Sequence, residues 1–399
     1  MREVFIITTA QIINARTAGS QRILNIAKSL AAGGVHVFIA SLYDISGCPL
    51  ETVELFPGIH HLKTKEKKEG NSLHLRKYLI SLNHFMKQRG SAKVLYLYPT
   101  VFVFRDFLYL LYFKTRGYRL FCDINELRAT NAFTYSRPGK ISQRFYSLLK
   151  ALYEFIYYKL SELQAPFYNG IVVISTRLAQ YFSRLNNRVL RVPILCDSDT
   201  AGDAGQLAVS SDSAFKICFA GFINCRKEGF DTLFAALQEV NKEKQVHLYL
   251  YGILIDQEKQ ALDQLASRFQ LKDKVFYKGN IEPEELSEEF GKYHLLILPR
   301  PLRKQTQFGF STKLSEYLTS GVPVLLTDVS DNAIYIKDNY NGFLIAPDSF
   351  AAMESKLKWI IDNYNEYSSV VAENALLTAR EVFDYRNYSV PLIDFLFEK

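Results

Sequence analysis

Short apolar runs separated by helix-period stretches recur along the whole chain. Residues 4–9 (VFIITT) and 35–42 (VHVFIASL) bracket a helical stretch, 20–32, that closes on Gly33-Gly34. Strand, helix, strand with glycine at the helix end is the βαβ unit of a parallel sheet. Runs at 94–98, 118–123, 170–175 and 191–197 extend that sheet. Residues 57–72 (PGIHHLKTKEKKEGNS) interrupt the pattern with charge and turn residues, which predicts a loop. His60, His61, His74 and His84 form no i, i+4 pair, so they read as incidental histidines and not as metal ligands.

Residues 198–214 are rich in Gly, Ser and Asp, and the hydrophobic register restarts after them. Apolar runs at 216–222, 247–252, 274–280, 295–299, 323–328 and 342–347 alternate with helical stretches. That alternation predicts a second doubly wound parallel sheet. The expected organisation is therefore a first domain over 1–197, a linker over 198–214, a second domain over 215–375 and a terminal helical stretch over 376–399. A chain of 399 residues suits two domains of roughly 200 residues each.

One stretch organises the second half: residues 307–328, QFGFSTKLSEYLTSGVPVLLTD. It reads as a glycine-containing loop, a short helix and a buried strand. Ser311 or Thr312 can cap the helix, Leu314, Tyr317 and Leu318 share one face, and Gly321 closes it. Pro323 then opens a strand. Lys313 and Glu316 lie three residues apart, which predicts that they share the face opposite the core. A helix start behind small residues favours an anion, and Lys313 adds a full positive charge. Glu316 one turn further in can accept hydrogen bonds from hydroxyls such as those of a ribose. The same pair also reads as an ordinary exposed ion pair. These residues alone leave both readings open.

Open α/β sheets bind ligands beyond the carboxyl ends of their strands. The loop after the first strand, residues 10–20, carries Arg16 and Gly19, which are expected on the acceptor side of a cleft. It holds no G-x-G-x-x-G, and no G-x-x-x-x-G-K-[ST] occurs anywhere, so dinucleotide and P-loop readings gain no support.

Charge is uneven. Residues 1–200 hold 27 Lys and Arg against 13 Asp and Glu, net +14; residues 201–399 hold 21 against 28, net −7, and the two give the whole chain's +7. A basic first half points to an anionic partner such as phospholipid, a lipid diphosphate or nucleic acid. Residues 137–168 mix Arg144, Lys150 and Lys159 with Phe145, Tyr146, Tyr153, Phe155, Tyr157 and Tyr158. That mixture suits either a peripheral membrane contact or a helix packed on the sheet with its charges in water. No run of 18 apolar residues is clean; the closest, 94–113, is broken by Pro99, Arg105 and Asp106. Cys48, Cys122, Cys196, Cys218 and Cys225 form no C-x-x-C pair and read as reduced thiols of a cytosolic protein.

The stretch 307–328 resembles the donor-site signature of the retaining glycosyltransferases of family 4, which have the GT-B fold. Glu316, Ser320, Gly321, Pro323 and Val324 match that signature, while Phe308 and Ser311 stand where its first Glu and second Gly belong. A subset with a Ser/Thr-Lys-Leu-x-Glu-Tyr-Leu run is similar over 311–318. The resemblance implies an α/β chain of GT-B architecture, two Rossmann-like doubly wound domains facing a central cleft, with the terminal helix crossing back to the first domain.

It also implies roles. Lys227 with Gly229 matches the Lys-Gly of the family's diphosphate loop; Phe222 stands in the usual Arg place, for which Arg226 can substitute. Arg226, Lys227, Ser311, Thr312 and Lys313 would hold the donor diphosphate, Glu316 the ribose, Gly309 and Phe310 the donor sugar, and Asn280 and Ile281 the base. Asn125 and Glu126 fall where the family carries a His-Glu pair at the reacting end. Asn125 can donate a hydrogen bond but cannot act as a base, and Glu126 also reads as a helix-start carboxylate.

The reading is a retaining, metal-independent hexosyltransferase without a cofactor. It would move a sugar from a nucleotide-sugar to a lipid-linked or glycan acceptor in bacterial surface polysaccharide assembly. The protein is expected in the cytoplasm, peripheral on the inner face of the membrane through 137–168, with no nucleic acid partner. Two rivals stand beside it: a catalytically degenerate partner subunit, favoured by Phe308 and Phe222, and a membrane-surface anion-binding adaptor.

Overall fold

Two mainly parallel sheets carry the chain in the computed structural model, which describes residues 2–13, 17–45, 49–64, 75–89, 93–99, 102–132, 141–201 and 214–398. The expectations at Arg16, His74 and Cys48, at residues 137–140 of the aromatic helix, and at 202–213 of the linker lie outside the described residues. The chain forms two compact units, Met1–Leu195 with Tyr385–Lys399 and Cys196–Asp384. Chain crossings therefore fall at 195/196 and at 384/385.

The first unit is built on eight strands: β1 (Glu3–Thr8), β2 (His36–Ser41), β3 (Leu50–Phe56), β4 (Ile59–Thr64), β5 (Val94–Leu97), β6 (Arg119–Ile124), β7 (Gly170–Val173) and β8 (Val189–Arg191). Their order is β3-β4-β2-β1-β5-β6-β7-β8, parallel throughout except where β3 runs antiparallel to β4. Every residue of β1 and β5 is buried, as their unbroken apolar runs require. Helix Ala18–Ala32 is capped by the Thr17 hydroxyl, which accepts from the Ser20 N–H, and it ends at Gly33. The last helix, Ser389–Phe397, buries Leu392, Ile393 and Leu396 in one cluster with Ile23, Ile26 and Leu30.

Two sequence expectations are corrected here. Residues 59–64, read as loop, form strand β4, joined to β3 by a Pro57-Gly58 turn and paired in parallel with β2. His60, His61 and Lys63 broke the apolar pattern that would have signalled a strand. His61 is nonetheless fully buried with Nε2 3.2 Å from the Asp44 carboxylate, and His60 stacks on Phe38. At the opposite edge, the expected strand 191–197 pairs only over Val189–Arg191. Val192 gives a last N–H to Val173, and Pro193 then has none to offer.

A buried ion pair fixes the carboxyl ends of this sheet. Arg22 Nε donates to both Asp123 oxygens at 2.8 and 3.0 Å, and its Nη1 donates to the Val192 and Pro193 carbonyls. The Tyr96 hydroxyl donates to the same carboxylate at 2.5 Å. One helix, two strand ends and the β8 exit are thus tied to one charge.

The second unit has six parallel strands: β9 (Phe215–Ala220), β10 (Val246–Tyr251), β11 (Val275–Gly279), β12 (Leu295–Leu298), β13 (Val324–Thr327) and β14 (Phe343–Ile345), in the order β11-β10-β9-β12-β13-β14. All six overlap the predicted runs, with β9 and β10 each starting one residue earlier. The central strands β12 and β13 are wholly buried, and the edge strand β11 is half-exposed. The strand order reverses between β9 and β12. That is where a doubly wound sheet opens a crevice at its carboxyl ends.

Removing one partner of a buried pair strands the other charge, at a cost of about 3–5 kcal/mol. Asp123→Ala is therefore expected to weaken the first unit by that amount. Native-state hydrogen exchange at β1, β5 and β6 reports it without assuming that both units unfold together. The double variant Arg22→Met, Asp123→Leu is expected to recover most of the loss. Unchanged protection in Asp123→Ala would remove the pair from its organising role.

Candidate functional site

In the second unit the chain leaves β9 through Gly221 and forms a short turn of helix, Cys225–Glu228, whose cap Asn224 accepts from the Lys227 N–H at 2.8 Å. Gly229 follows at φ +76, a left-handed conformation. A Cβ there would lie 2.1 Å from the Pro299 carbonyl oxygen, so only glycine lets this loop dock on the end of β12. Docking places Glu228 against Arg300, the residue just beyond Pro299. Thr327 at the end of β13 donates to the Arg300 carbonyl at 2.6 Å and holds that backbone.

Glu228 is buried and receives two cations. Arg300 bonds it through Nε at 3.0 Å and Nη2 at 3.3 Å, and Lys313 Nζ stands 3.4 Å from the first carboxylate oxygen. Lys313 is itself buried, with its ammonium 4.5 Å from the Phe219 ring centroid. Its stem lies where a Cβ of Gly221 would sit, 2.0 Å from Lys313 Cε. The expectation that Lys313 shares the outer helix face with Glu316 is corrected: Glu316 is exposed, and Lys313 turns inward. The extra inward space comes from Gly221, which a helical wheel of 312–318 alone does not show.

The helix Thr312–Leu318 is held over β9 by Tyr317, whose hydroxyl accepts from the Ala220 N–H at 2.8 Å; Leu314, Tyr317 and Leu318 are fully buried as predicted. Ser311 occupies the N-cap position, yet its side chain does not cap; its hydroxyl is buried with no hydrogen-bond partner. Such a hydroxyl keeps its hydrogen-bonding capacity for another group. The ring of Phe310 packs against Tyr335 and Phe383, which leaves only its main chain for a ligand. Gly309 ends helix Lys304–Phe308, and its carbonyl accepts from Ser330.

One buried carboxylate faces two cations, Lys313 buried and Arg300 half-buried, leaving an unbalanced positive charge at the switch point. Burial alone would raise the Glu228 pKa, but Arg300, then Lys313 and Lys227, hold it at about 2. Burial lowers Lys313 to about 8; Glu228 opposes this, while Arg300 and Lys227 reinforce it. Crowding moves Glu316 above the usual carboxylate range against the pull of Lys313, an effect tempered by its contact with solvent.

Arg226 is exposed and Lys227 half-buried on the turn beside Glu228. Asn280 and Ile281 follow the edge strand β11, two strands from β9 and so about 10 Å of sheet away. Sequence reasoning missed Glu228 and Arg300. Arg300 immediately follows an apolar strand at the carboxyl edge, and that position was its signal.

In the first unit the loops after β1, β5 and β6 converge. A Cβ on Gly19 would lie 3.0 Å from the Tyr98 hydroxyl, and that hydroxyl accepts from Asn125 Nδ2 at 2.5 Å. Glu126 pairs with Arg128 at 3.0 Å. Asp123, Asn125, Glu126, Arg128 and Glu162 border a cavity of about 50 Å³. Among the described residues no three His, Cys, Asp or Glu side chains cluster as metal ligands, and Cys122, Cys196, Cys218 and Cys225 are unpaired. No helix among them is long and apolar enough to cross a membrane.

Two mainly parallel sheets, the second with a central switch point, define the GT-B fold, and solved structures agree. The chain is similar to sucrose-phosphate synthase (tll1590) from Thermosynechococcus elongatus, with TM-score 0.71 and 15% identity over 98% of this chain and 97% of that one. It is similar also to Anabaena Alr3699/HepE in complex with UDP and glucose, with TM-score 0.67 and 12% identity over all of both chains. A third likeness is to WaaG, a glycosyltransferase involved in lipopolysaccharide biosynthesis, with TM-score 0.62 and 16% identity over all of both chains. Residues 214–363, the greater part of the second unit, match the family Glycosyl transferases group 1. No curated protein sequence matches the chain.

An anion at the cluster would be favoured while Lys313 is protonated. With Lys313 at about 8, affinity for inorganic diphosphate is expected to hold below pH 8 and to fall by up to about tenfold per pH unit above it. Calorimetric titration at pH 7 and pH 9.5 measures the difference. Lys313→Met is expected to bind weakly at both values; a pH-dependent fall that survives in this variant would assign the titration to another group.

Proposed function

We propose that the protein is a glycosyltransferase that takes a sugar from a nucleotide-sugar held by the second unit and transfers it to a lipid-linked glycan held by the first. The observation that carries this is the excess of positive charge around the buried Glu228, from Arg300 and Lys313, on a segment matched by a glycosyltransferase family. Departure of a nucleoside diphosphate develops negative charge, and preorganised cations lower that barrier most where water is excluded. Arg300 supplies the guanidinium absent at Phe222. With Lys313, Arg300, Lys227 and the unpartnered Ser311 hydroxyl around the diphosphate, no metal is needed to neutralise it. Exposed Glu316 accepts from the ribose hydroxyls.

Transfer with retention follows if the departing diphosphate takes the acceptor's proton on the face it leaves. Asn125 then orients the acceptor through Tyr98 without serving as base. The structural likeness to a lipopolysaccharide glycosyltransferase supports a role in bacterial surface polysaccharide assembly. A peripheral place at the inner membrane face is supported by helix Ile141–Glu162. Its Phe145, Leu148, Leu152, Tyr153 and Ile156 are each 47–65% exposed, while Tyr157 and Lys159 are spent on internal contacts.

The test is release of nucleoside diphosphate from UDP-, GDP- and dTDP-sugars, in chelator, with membrane lipid extract as acceptor. Release from one donor is expected, with kcat/KM lowered about 10²–10³-fold in Lys313→Ala. Glu316→Ala is expected mainly to raise KM for the donor. Binding of nucleotide without turnover by the intact protein would favour the degenerate partner subunit; failure to bind any nucleotide would remove the donor site.

A further inference from the structure

Between helices Leu75–Arg89 and Val103–Lys114 of the first unit runs a groove of about 680 Å³. That volume falls within the roughly 300–1,000 Å³ usual for small-molecule sites. Its walls are hydrocarbon: Leu79 and Ile80 on one helix, Leu108 and Leu111 on the other. Ile80, Leu108 and Leu111 are each 46–50% exposed, an unusual state for side chains that face one another across a slot. Arg76, Tyr112, Thr115 and Arg116 also line it. Helix Leu75–Arg89 carries Arg76, Lys77, Lys87 and Arg89 and no carboxylate. The groove therefore combines hydrocarbon walls with two arginines and has no negative charge on one wall.

A second observation gives it a direction. Phe104, Leu108 and Leu111 stand at helical spacing on one stripe of Val103–Lys114, and all three are exposed. At the far end of that stripe Phe104 meets Tyr157 of helix Ile141–Glu162, with ring centroids 5.9 Å apart. The exposed stripe beside the groove thus reaches helix Ile141–Glu162, which carries the proposed membrane contact.

We propose that this groove seats one hydrocarbon chain of a prenyl phosphate, with Arg76 and Arg116 holding the phosphate. An apolar slot lined by two arginines fits a long apolar tail with an anionic head. Arg116 Nη1 donates to the Tyr112 carbonyl at 2.8 Å, which holds its guanidinium at the groove wall, and a neutral lipid would leave the charge of Arg76 and Arg116 unmatched. The inference rests on the lipid-linked acceptor proposed above and gives that acceptor's tail a place separate from the sugar chemistry.

The probe is undecaprenyl phosphate in detergent, its binding followed by native mass spectrometry, with UDP binding and sedimentation with phosphatidylglycerol vesicles measured in parallel. Ile80→Glu and Leu108→Glu alter exposed positions and are expected to fold. Each is expected to weaken prenyl phosphate binding at least tenfold, with UDP and vesicle binding changed less than twofold. Arg76→Gln with Arg116→Gln is expected to abolish the preference for prenyl phosphate over undecaprenol. Prenyl phosphate binding unaffected by either glutamate would overturn the groove. So would a parallel loss of vesicle binding, because the groove would then be part of the bilayer footprint. UDP binding retained in either case leaves the donor site standing, so failure here is distinct from failure of the transferase reading.

Discussion

A single buried carboxylate organises the second unit. Glu228 has to be ionised to hold Arg300 and Lys313, and the two cations make its ionisation favourable despite burial. The arrangement is electrostatically incomplete, since two positive groups, Lys313 buried and Arg300 half-buried, share one negative partner. Proteins rarely bury unbalanced charge unless something binds there. Everything nearby is arranged to keep the imbalance: Gly229 lets the first loop dock, Thr327 fixes the Arg300 main chain, and Tyr317 holds the helix that carries Lys313.

The first unit solves the opposite problem. Arg22 and Asp123 balance one another, and Nη1 of the guanidinium donates to the carbonyls of Val192 and Pro193. That balance of charge gives a rigid frame. Tyr98 and Asn125 sit one layer above it, where polar groups can turn toward an acceptor. A balanced pair builds the floor in one unit, and an unbalanced cluster marks the candidate site in the other.

The alternation of buried runs and helices made both sheets legible, because parallel strands covered on two faces need unbroken apolar sequence. The pattern failed where tertiary contacts replaced hydrophobicity. Strand β4 keeps two histidines because one finds Asp44 and the other a ring to stack on. The cation at 313 was legible as a charge, but its inward turn was not. That turn depends on the missing side chain of Gly221, nearly a hundred residues earlier. Glu228 looked like one more polar residue in a charged loop. Its meaning comes from Arg300, which only the fold brings beside it.

The stem of Lys313 fills the space that a side chain at position 221 would need. The two positions therefore behave as one unit of substitution. A larger residue at 221 forces the lysine out of its slot, and loss of the lysine opens room for a larger residue. Among diverging copies of this chain, the glycine and the lysine should be kept together or lost together. A steric contact between distant positions would then be written into sequence variation itself.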